Sequence, residues 1–237
     1  MVLEPFNLLH GATVLAMFTA IAILAWAGRR RPEGVRLGLG WFALACWIAN
    51  QAYYAVRGGG QVDWSKALPL QVCDGVALAA PLALLTRNRW LMAVAWFSGL
   101  GLSSQAFITP VVKTGPGSLE YWVFWLMHGC IYAAAAVQVA ALHYRPNFGD
   151  YARAWIGSLG YVMCIVPLDM LTGWNYGYMG NALPDTPTVL DHLGPWPWRI
   201  LVLCAVTSVL YLLLWLPFEA ARRLCAREKT DVPAKVI

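Results

Sequence analysis

Residues 119–143, LEYWVFWLMHGCIYAAAAVQVAALH, decide the fold class, because after Glu120 this stretch contains no Asp, Glu, Lys or Arg. A helix of about 20 apolar residues crosses the roughly 30 Å hydrocarbon core of a bilayer. The sequence therefore predicts an all-α polytopic membrane protein, a bundle of seven transmembrane helices that forms a single domain over residues 1–237. The other helices are expected at about 7–28, 37–56, 67–86, 90–109, 151–172 and 198–218.

The composition supports a protein built around membrane spans. Hydrophobic residues make up 59% of the 237 residues and charged residues only 12%, a far smaller charged share than in soluble domains. The 13 Trp and 10 Tyr residues suit the interface between membrane and water. The net charge of +5 comes from Lys and Arg scattered at span ends, without a basic stripe, which excludes nucleic acid as a partner. We expect membrane phospholipids as partners, and nothing implies a soluble partner.

The Lys and Arg residues predict the orientation of the chain, because cytoplasmic loops of membrane proteins carry an excess of them. We expect the N-terminus outside the cell, the basic tail 222–237 in the cytoplasm and the segment 173–197 outside. That segment is rich in aromatic residues and proline, which favours an ordered loop. Thirteen basic residues fall on the predicted inner side and four on the outer side. The inner residues are Arg29, Arg30, Arg31, Arg36, Arg87, Arg89, Arg145, Arg153, Arg222, Arg223, Arg227, Lys229 and Lys235, and the outer ones are Arg57, Lys66, Lys113 and Arg199.

The few polar residues in the spans gather in the half that we expect to face outward. At 1.5 Å per residue, Cys73 lies about 9 Å and His128 about 13 Å below the outer ends of their helices. An ionisable side chain within the hydrocarbon is costly and by default indicates function. Hydrogen bonding across helices is the alternative; it is favoured for His10 and Asn50 and stays open for the two aspartates. The outer polar residues include His10, Asn50, Cys73, Asp74, Gln105, His128 and Asp169.

The spacing of the cysteines limits the kinds of site that the sequence predicts. The six cysteines include no CxxC pair and none lies in an outer loop, so we predict neither a metal site nor a disulfide framework. A thiol becomes a nucleophile when a base takes its proton, and His128 is the only histidine deep enough to meet Cys73. Contact between them requires that their two helices are neighbours. Asp74 is rotated by about 100° from Cys73, so Asp169 or Asn175 is the better third member.

Six short motifs lie in order between about residues 40 and 220. They are LPLQVCD at 68–74, QAFITP at 105–110, LMHG at 126–129, Arg145-Pro146, Asn175-Tyr176 and LGPWPW at 193–198. Together they resemble the YwaF family of integral membrane proteins, also called the transmembrane protein 164 family. Segment 175–178 reads NYGY where relatives often read NYMY, which we interpret as a packing change in the loop.

This resemblance implies an activity and two catalytic residues. The animal member of the family is an acyltransferase that places polyunsaturated acyl chains on ether phospholipids, and a cysteine and a histidine are its proposed catalytic residues. The matching positions here are Cys73 and His128. Relatives commonly carry histidine two residues before the cysteine, where this chain has Gln71, so a proton-relay role of that histidine is absent here. The resemblance also implies a multi-pass protein of the bacterial cytoplasmic membrane.

We therefore predict a membrane-embedded acyltransferase that acts on phospholipids through Cys73 and His128 and needs no cofactor. Oxyanion stabilisation is expected from Gln105, Asn175 or backbone N–H groups of the segment 173–197. The residues expected to bind substrate or to support the site are Asp74, Gln105, Asp169, Asn175, Tyr176, His10 and Asn50.

Other classes of function stay open on the sequence alone. An intramembrane lipid hydrolase would use the same site, with water resolving the thioester. A non-enzymatic transporter or receptor would hold a lipid or small molecule in the outer polar cavity, although no internal repeat typical of transporters is found. Retinal binding is excluded, because the last helix has no lysine for a Schiff base.

Overall fold

The computed structural model describes residues 3–57, 61–181 and 192–230. These described residues contain no β-strand, so the predicted all-α class is confirmed. A 3₁₀ turn, Tyr176–Tyr178, follows the eighth helix. The helices are α1 (Leu8–Arg30), α2 (Pro32–Val56), α3 (Trp64–Ala67), α4 (Val72–Thr86), α5 (Arg89–Gly101), α6 (Gln105–Ile108), α7 (Leu119–Ala141), α8 (Phe148–Thr172) and α9 (Trp198–Thr230).

Capping residues mark the starts of α1 and α8 and the end of α8. Asn7 accepts a hydrogen bond from the His10 N–H at 2.8 Å at the start of α1. Asn147 accepts from the Asp150 N–H at 3.0 Å at the start of α8, and the Asp150 carboxylate accepts the Asn147 N–H in return. These bonds satisfy N–H groups that a first turn leaves without an intrahelical partner. Gly173, with a φ of 73°, supplies the left-handed residue that ends α8.

The predicted helix 67–86 lies within a segment that is long and apolar enough to span a membrane, but it is not continuous, because the chain breaks between α3 and α4. Leu68 is extended, with φ −73° and ψ 140°, as expected of a residue that precedes a proline. Pro69 therefore interrupts the span, and helical structure resumes at Val72. The break moves Cys73 from two turns inside a helix to the first turn of one.

The predicted helix 90–109 is also interrupted, between α5 and α6. The Ser104 hydroxyl donates to the Gly101 carbonyl at 2.8 Å. The Ser103 N–H donates to the Ser98 carbonyl, five residues back, at 3.2 Å. Serine side chains compete with regular helical pairing, which explains why a run of two serines breaks this span.

The central helix of the bundle is α7. It packs against α1, α2, α4 and α5, and residues on all its sides are buried. Small residues allow this close approach; a Cβ added at Gly129 would lie 2.9 Å from the Met17 sulfur of α1. Helices α8 and α9 pack against α5 and against each other. The contact between α4 and α7 meets the condition that the helices of Cys73 and His128 are neighbours.

Six segments of the described chain are long and apolar enough to cross a membrane. The predicted span 37–56 is not among them, so the count of seven is not confirmed. Polar residues near both ends of α2, including Arg36 and Asn50, make it less apolar than its neighbours, although it packs along α4 and α7. The six segments are Leu8–Arg30, Trp64–Thr86, Arg89–Ile108, Leu119–Ala141, Phe148–Thr172 and Trp198–Ala226.

Basic residues at several helix junctions meet at one end of the bundle, which we call the basic end. Glu33 pairs with Arg36 at 2.7 Å and also with Arg87, and these guanidinium groups hold the pKa of Glu33 below its usual value. Arg222 of α9 donates to the Pro146 carbonyl at 2.9 Å. We call the opposite end, with the starts of α1, α4 and α7, the polar end. Which end faces the cytoplasm stays a prediction.

Two predicted segments are described only in part. Helix α9 continues past the predicted end at 218 to Thr230, and so includes the first part of the predicted basic tail 222–237. Residues 231–237 of that tail lie outside the described residues. Residues 182–191 of the predicted ordered loop 173–197 also lie outside them.

The position of α2 is testable through a pair of cysteines. The thiols of Cys46 on α2 and Cys130 on α7 lie close to each other where the two helices pack. Because thiols this close on packed helices can reach disulfide geometry, we expect copper–phenanthroline treatment of membranes to join them. Peptide mass spectrometry without reduction would detect the linked peptides, and Cys46→Ala is the control that removes them. If both thiols remain open to alkylation after oxidation, α2 does not pack on α7 as described.

Candidate active site

Cys73 lies in the first turn of α4, at the polar end. Gln71 is the N-cap residue and Cys73 is the second residue of the helix. The N–H groups of a first helical turn favour negative charge, a setting in which reactive cysteines are found. Beside the thiol lies the Ser103 hydroxyl, which has no partner of good hydrogen-bond geometry among the described residues. The two broken spans therefore meet at the candidate nucleophile.

Asp74 holds the start of α4 in place. Its Oδ2 accepts the Gln71 N–H at 3.3 Å, and its Oδ1 accepts from the Gln51 Nε2 of α2 at 3.2 Å. The indole N–H of Trp47 donates to the Asp74 carbonyl at 3.0 Å. These contacts account for a buried carboxylate at this position and tie the turn that carries Cys73 to α2.

His128 is buried on α7 with a defined tautomer. Its Nδ1 lies 2.8 Å from the Phe124 carbonyl oxygen, one turn back on the helix. Because a carbonyl only accepts hydrogen bonds, Nδ1 carries the proton in this contact, and Nε2 of the neutral ring is the acceptor. The Phe124 ring lies 4.3 Å from the imidazole and restrains it further. His128 is thus prepared to take a proton through Nε2.

The two candidate catalytic residues lie on packed helices. Cys73 contacts an apolar cluster that joins Val76 and Ala77 of α4 to Met127 and Ile131 of α7. His128 follows Met127 directly in the chain. Among the described residues no hydrogen bond joins the Cys73 thiol to the His128 ring, and the two residues are related through the packing of α4 on α7.

The loop after α8 is held by buried polar contacts. Asp169 Oδ1 accepts the Tyr176 N–H at 3.0 Å, while Oδ2 has no hydrogen-bond partner among the described residues. The Tyr176 hydroxyl donates to the Trp64 carbonyl at 2.5 Å. Burial raises the pKa of Tyr176 to about 12, so the hydroxyl remains a donor at neutral pH. Asn175 Oδ1 accepts the Gly180 N–H at 2.9 Å.

Gln71 joins this loop to α4. Its Oε1 accepts the Gly177 N–H at 2.9 Å. Gly177 has a φ of 60°, and a Cβ there would collide with the Tyr161 hydroxyl. That hydroxyl donates to the Leu70 carbonyl at 2.7 Å, in the break before α4. The glycine of NYGY therefore lets the loop contact the segment that precedes Cys73.

Three other predicted site residues are described by contacts or burial away from Cys73. His10 Nε2 lies 3.1 Å from the Phe107 carbonyl oxygen. The Gln105 amide donates to the Thr109 carbonyl at 3.3 Å within the end of α6. Asn50 is buried near the end of α2. A role for these residues in substrate binding stays a prediction.

Two residues near the candidate nucleophile were not predicted as site residues from the sequence. Tyr161, from the middle of α8, lies within electrostatic range of Cys73 and Asp74. A tyrosine inside an apolar helix offers no sequence signal for such a position. For Ser103, the only indication in the sequence of a position near Cys73 is its depth in the predicted span.

A cavity of about 240 Å³ adjoins the site between α4, α5, α8 and α9. Val72 and Val76, which flank Cys73 along α4, line this cavity, as does Leu102 next to Ser103. The sequence predicts a polar cavity in this half of the bundle. The lining is instead mainly apolar, because the polar side chains nearby are engaged in contacts between helices and loops.

The chain matches a known protein family. The family model of the TMEM164 family matches residues 5–215, a range that includes both Cys73 and His128. No match was found among curated proteins or solved structures. The matched range covers most of the chain and includes all of α1 to α8. The chain is therefore a multi-pass membrane protein that belongs to the TMEM164 family.

Proposed function

We propose that the chain is a phospholipid acyltransferase with Cys73 as nucleophile and His128 as base. One observation carries the proposal: a cysteine in a first helical turn lies in the chain between Val72 and Val76, which line an apolar cavity, and its helix packs against the helix that bears a suitably protonated histidine. The resemblance of the LPLQVCD and LMHG motifs to an acyltransferase family supports the same pair. Membrane phospholipids are the proposed substrates, and the chemistry needs no cofactor.

In the first half of the reaction, His128 Nε2 takes the proton from the Cys73 thiol. The thiolate attacks an ester carbonyl of a phospholipid, and the carbon–oxygen bond to the glycerol breaks. His128 returns its proton to the departing lysophospholipid oxygen. The acyl group is then held on Cys73 as a thioester.

In the second half, a lysophospholipid hydroxyl gives its proton to His128 and attacks the thioester. The carbon–sulfur bond breaks, the new ester leaves, and the thiolate regains the proton. The backbone N–H groups of Val72 and Cys73 belong to the first turn of α4 and are not needed for pairing within the helix. We assign them to the oxyanion, because Gln105 and Asn175 already have partners.

We further propose that α2 is the seventh span and that the polar end faces the outside of the cytoplasmic membrane. The excess of Lys and Arg at the basic end supports this orientation. It places Cys73 in the outer leaflet, where phospholipids supply acyl groups and cytosolic acyl-CoA is absent.

Trapping the thioester tests the proposal. The chain would be reconstituted in liposomes with a phospholipid whose acyl chain carries an alkyne. We expect an alkyne label that hydroxylamine removes, located by mass spectrometry on Cys73 and not on the other five cysteines. His128→Gln should lower this labelling by roughly 10²-fold or more, since a positioned base contributes about that much.

A matched control is His143→Gln, which changes an exposed histidine at the basic end. We expect normal labelling in this variant. A label spread over several cysteines, or unchanged labelling in His128→Gln, would contradict the proposal. Labelling of Cys73 followed only by release of free fatty acid would identify a hydrolase with the same site.

A transporter is the second candidate, because both α3–α4 and α5–α6 are discontinuous near the site. Discontinuous helices are typical of substrate sites in transporters. Ion-gradient-driven uptake by vesicles, without any acyl label, would favour this function over the acyltransferase.

A further inference from the structure

The cavity beside Cys73 has the form of a slot that runs along the helices. Its lining extends from Val94 on α5 to Leu102, the residue that follows this helix, and on α8 from Trp155 to Val162. Eight residues of helix correspond to about 12 Å along the axis. Since the helices that form the slot are membrane-spanning segments, its long axis follows the direction of lipid acyl chains.

The slot is open on the side where α4 and α8 face the lipid. Of its lining residues only Gly75 and Gly157 are exposed. A Cβ at Gly75 would meet nothing within 4 Å, so no side chain blocks the passage beside α4. A Cβ at Gly157 would point toward Val94 on the opposite wall, at 3.7 Å. The missing side chains leave a lateral opening.

A buried tyrosine satisfies the two serine hydroxyls in the middle of the slot. The Tyr211 hydroxyl bonds to the Ser98 hydroxyl at 2.6 Å and to the Ser158 hydroxyl at 2.8 Å. Both serines line the slot, and their hydroxyls are engaged with Tyr211. The middle of the slot is therefore suited to a hydrocarbon.

We propose that the slot binds one acyl chain of a membrane phospholipid, which enters sideways between α4 and α8. The ester end of the chain then lies at the polar end beside Cys73, and the methyl end lies toward Thr207 and Trp155. The identity of the occupant follows from the apolar lining, the orientation along the spans and the opening toward lipid. The position of the ester rests on the proposed acyltransferase function, whereas binding of the chain does not.

The test uses a phospholipid with a photoreactive diazirine near the methyl end of one acyl chain. The full chain would be reconstituted with this lipid, irradiated, and its adducts mapped by mass spectrometry. We expect adducts on α8 and α9 near Trp155 and Thr207. Gly157→Phe fills the slot, and overpacking of this kind should lower these adducts about tenfold.

Gly160→Phe is the matched control, because Gly160 is exposed on the same helix and does not line the slot. It should leave the adducts unchanged. Equal labelling of Gly157→Phe and wild type would overturn the proposal. So would adducts concentrated in the groove of Met17, Leu24 and Leu126 between α1, α2 and α7.

Repeating the labelling with Cys73→Ala separates this inference from the proposed function. If Cys73→Ala still forms adducts in the slot and the wild-type chain transfers no acyl group, the slot binds an acyl chain but the protein is not the proposed enzyme. If Gly157→Phe loses the adducts but transfers acyl groups at the wild-type rate, the enzyme is retained and the slot does not hold the chain that is transferred.

Discussion

Replacing Cys73 by alanine is expected to lower acyl transfer by roughly 10⁴-fold or more, because the acyl group then has no atom on which to form a thioester. Cys73 is half-buried at the start of α4, so loss of its sulfur should lower the free energy of unfolding by only about 1 kcal/mol. The measurement is the rate at which labelled acyl chains appear on an added lysophospholipid in liposomes. Circular dichroism of the same sample checks that the helices are intact.

The control for this variant is Cys164→Ala, an exposed cysteine on α8. It removes the same atom from a position that neither lines the slot nor contacts Cys73. We expect wild-type transfer from this control. Transfer that survives in Cys73→Ala at the rate of the control would show that the thiol is not the nucleophile.

Replacing Asp150 by alanine should lower the free energy of unfolding by about 2–4 kcal/mol. The Asp150 side chain is fully buried and accepts two hydrogen bonds from Arg89, at 2.8 and 2.7 Å. It also accepts from Arg153 at 2.9 Å and from the Asn147 N–H at 3.0 Å. Loss of the carboxylate leaves these donors without their acceptor at the start of α8. The loss of stability is limited because the Arg89 side chain is 50% exposed and, without its partner, can form hydrogen bonds with water.

Unfolding by sodium dodecyl sulfate in mixed micelles, followed by circular dichroism, would measure this change. Asp150→Asn should lie between wild type and alanine, because it keeps an oxygen for the cap but loses the charge. Glu219→Ala, which breaks the pairs with the exposed Arg222 and Arg223, should have a much smaller effect. Equal losses in Asp150→Ala and Glu219→Ala would mean that the buried carboxylate has no special role.

The contacts of Asp150 are an example of interactions that the sequence does not predict. Arg89 and Asp150 lie far apart in the chain, and their charges alone predict only two polar helix ends. The same holds for Gln71, which the sequence marks as a departure from the histidine of relatives. Its bond to Gly177 becomes visible only when α4 and the loop after α8 are placed together.

The sequence by itself determined the membrane class, the all-α fold, the approximate positions of the long helices and the family. These follow from the length and apolarity of local segments and from ordered motifs, which do not depend on distant contacts. It also singled out Cys73 and His128, through the resemblance and their depth. The exact helix limits were less predictable, because one proline and one pair of serines each interrupt an otherwise apolar span.

Only the tertiary structure decided the surroundings of Cys73. It placed this residue in a first helical turn, brought Ser103 beside it, packed α4 on α7 and left a slot open between α4 and α8. The physical reason is that all these features are relations between helices distant in the chain. A helix of given length and apolarity can turn any face toward its neighbours, and the side chains that pack, cap and collide in three dimensions select one arrangement.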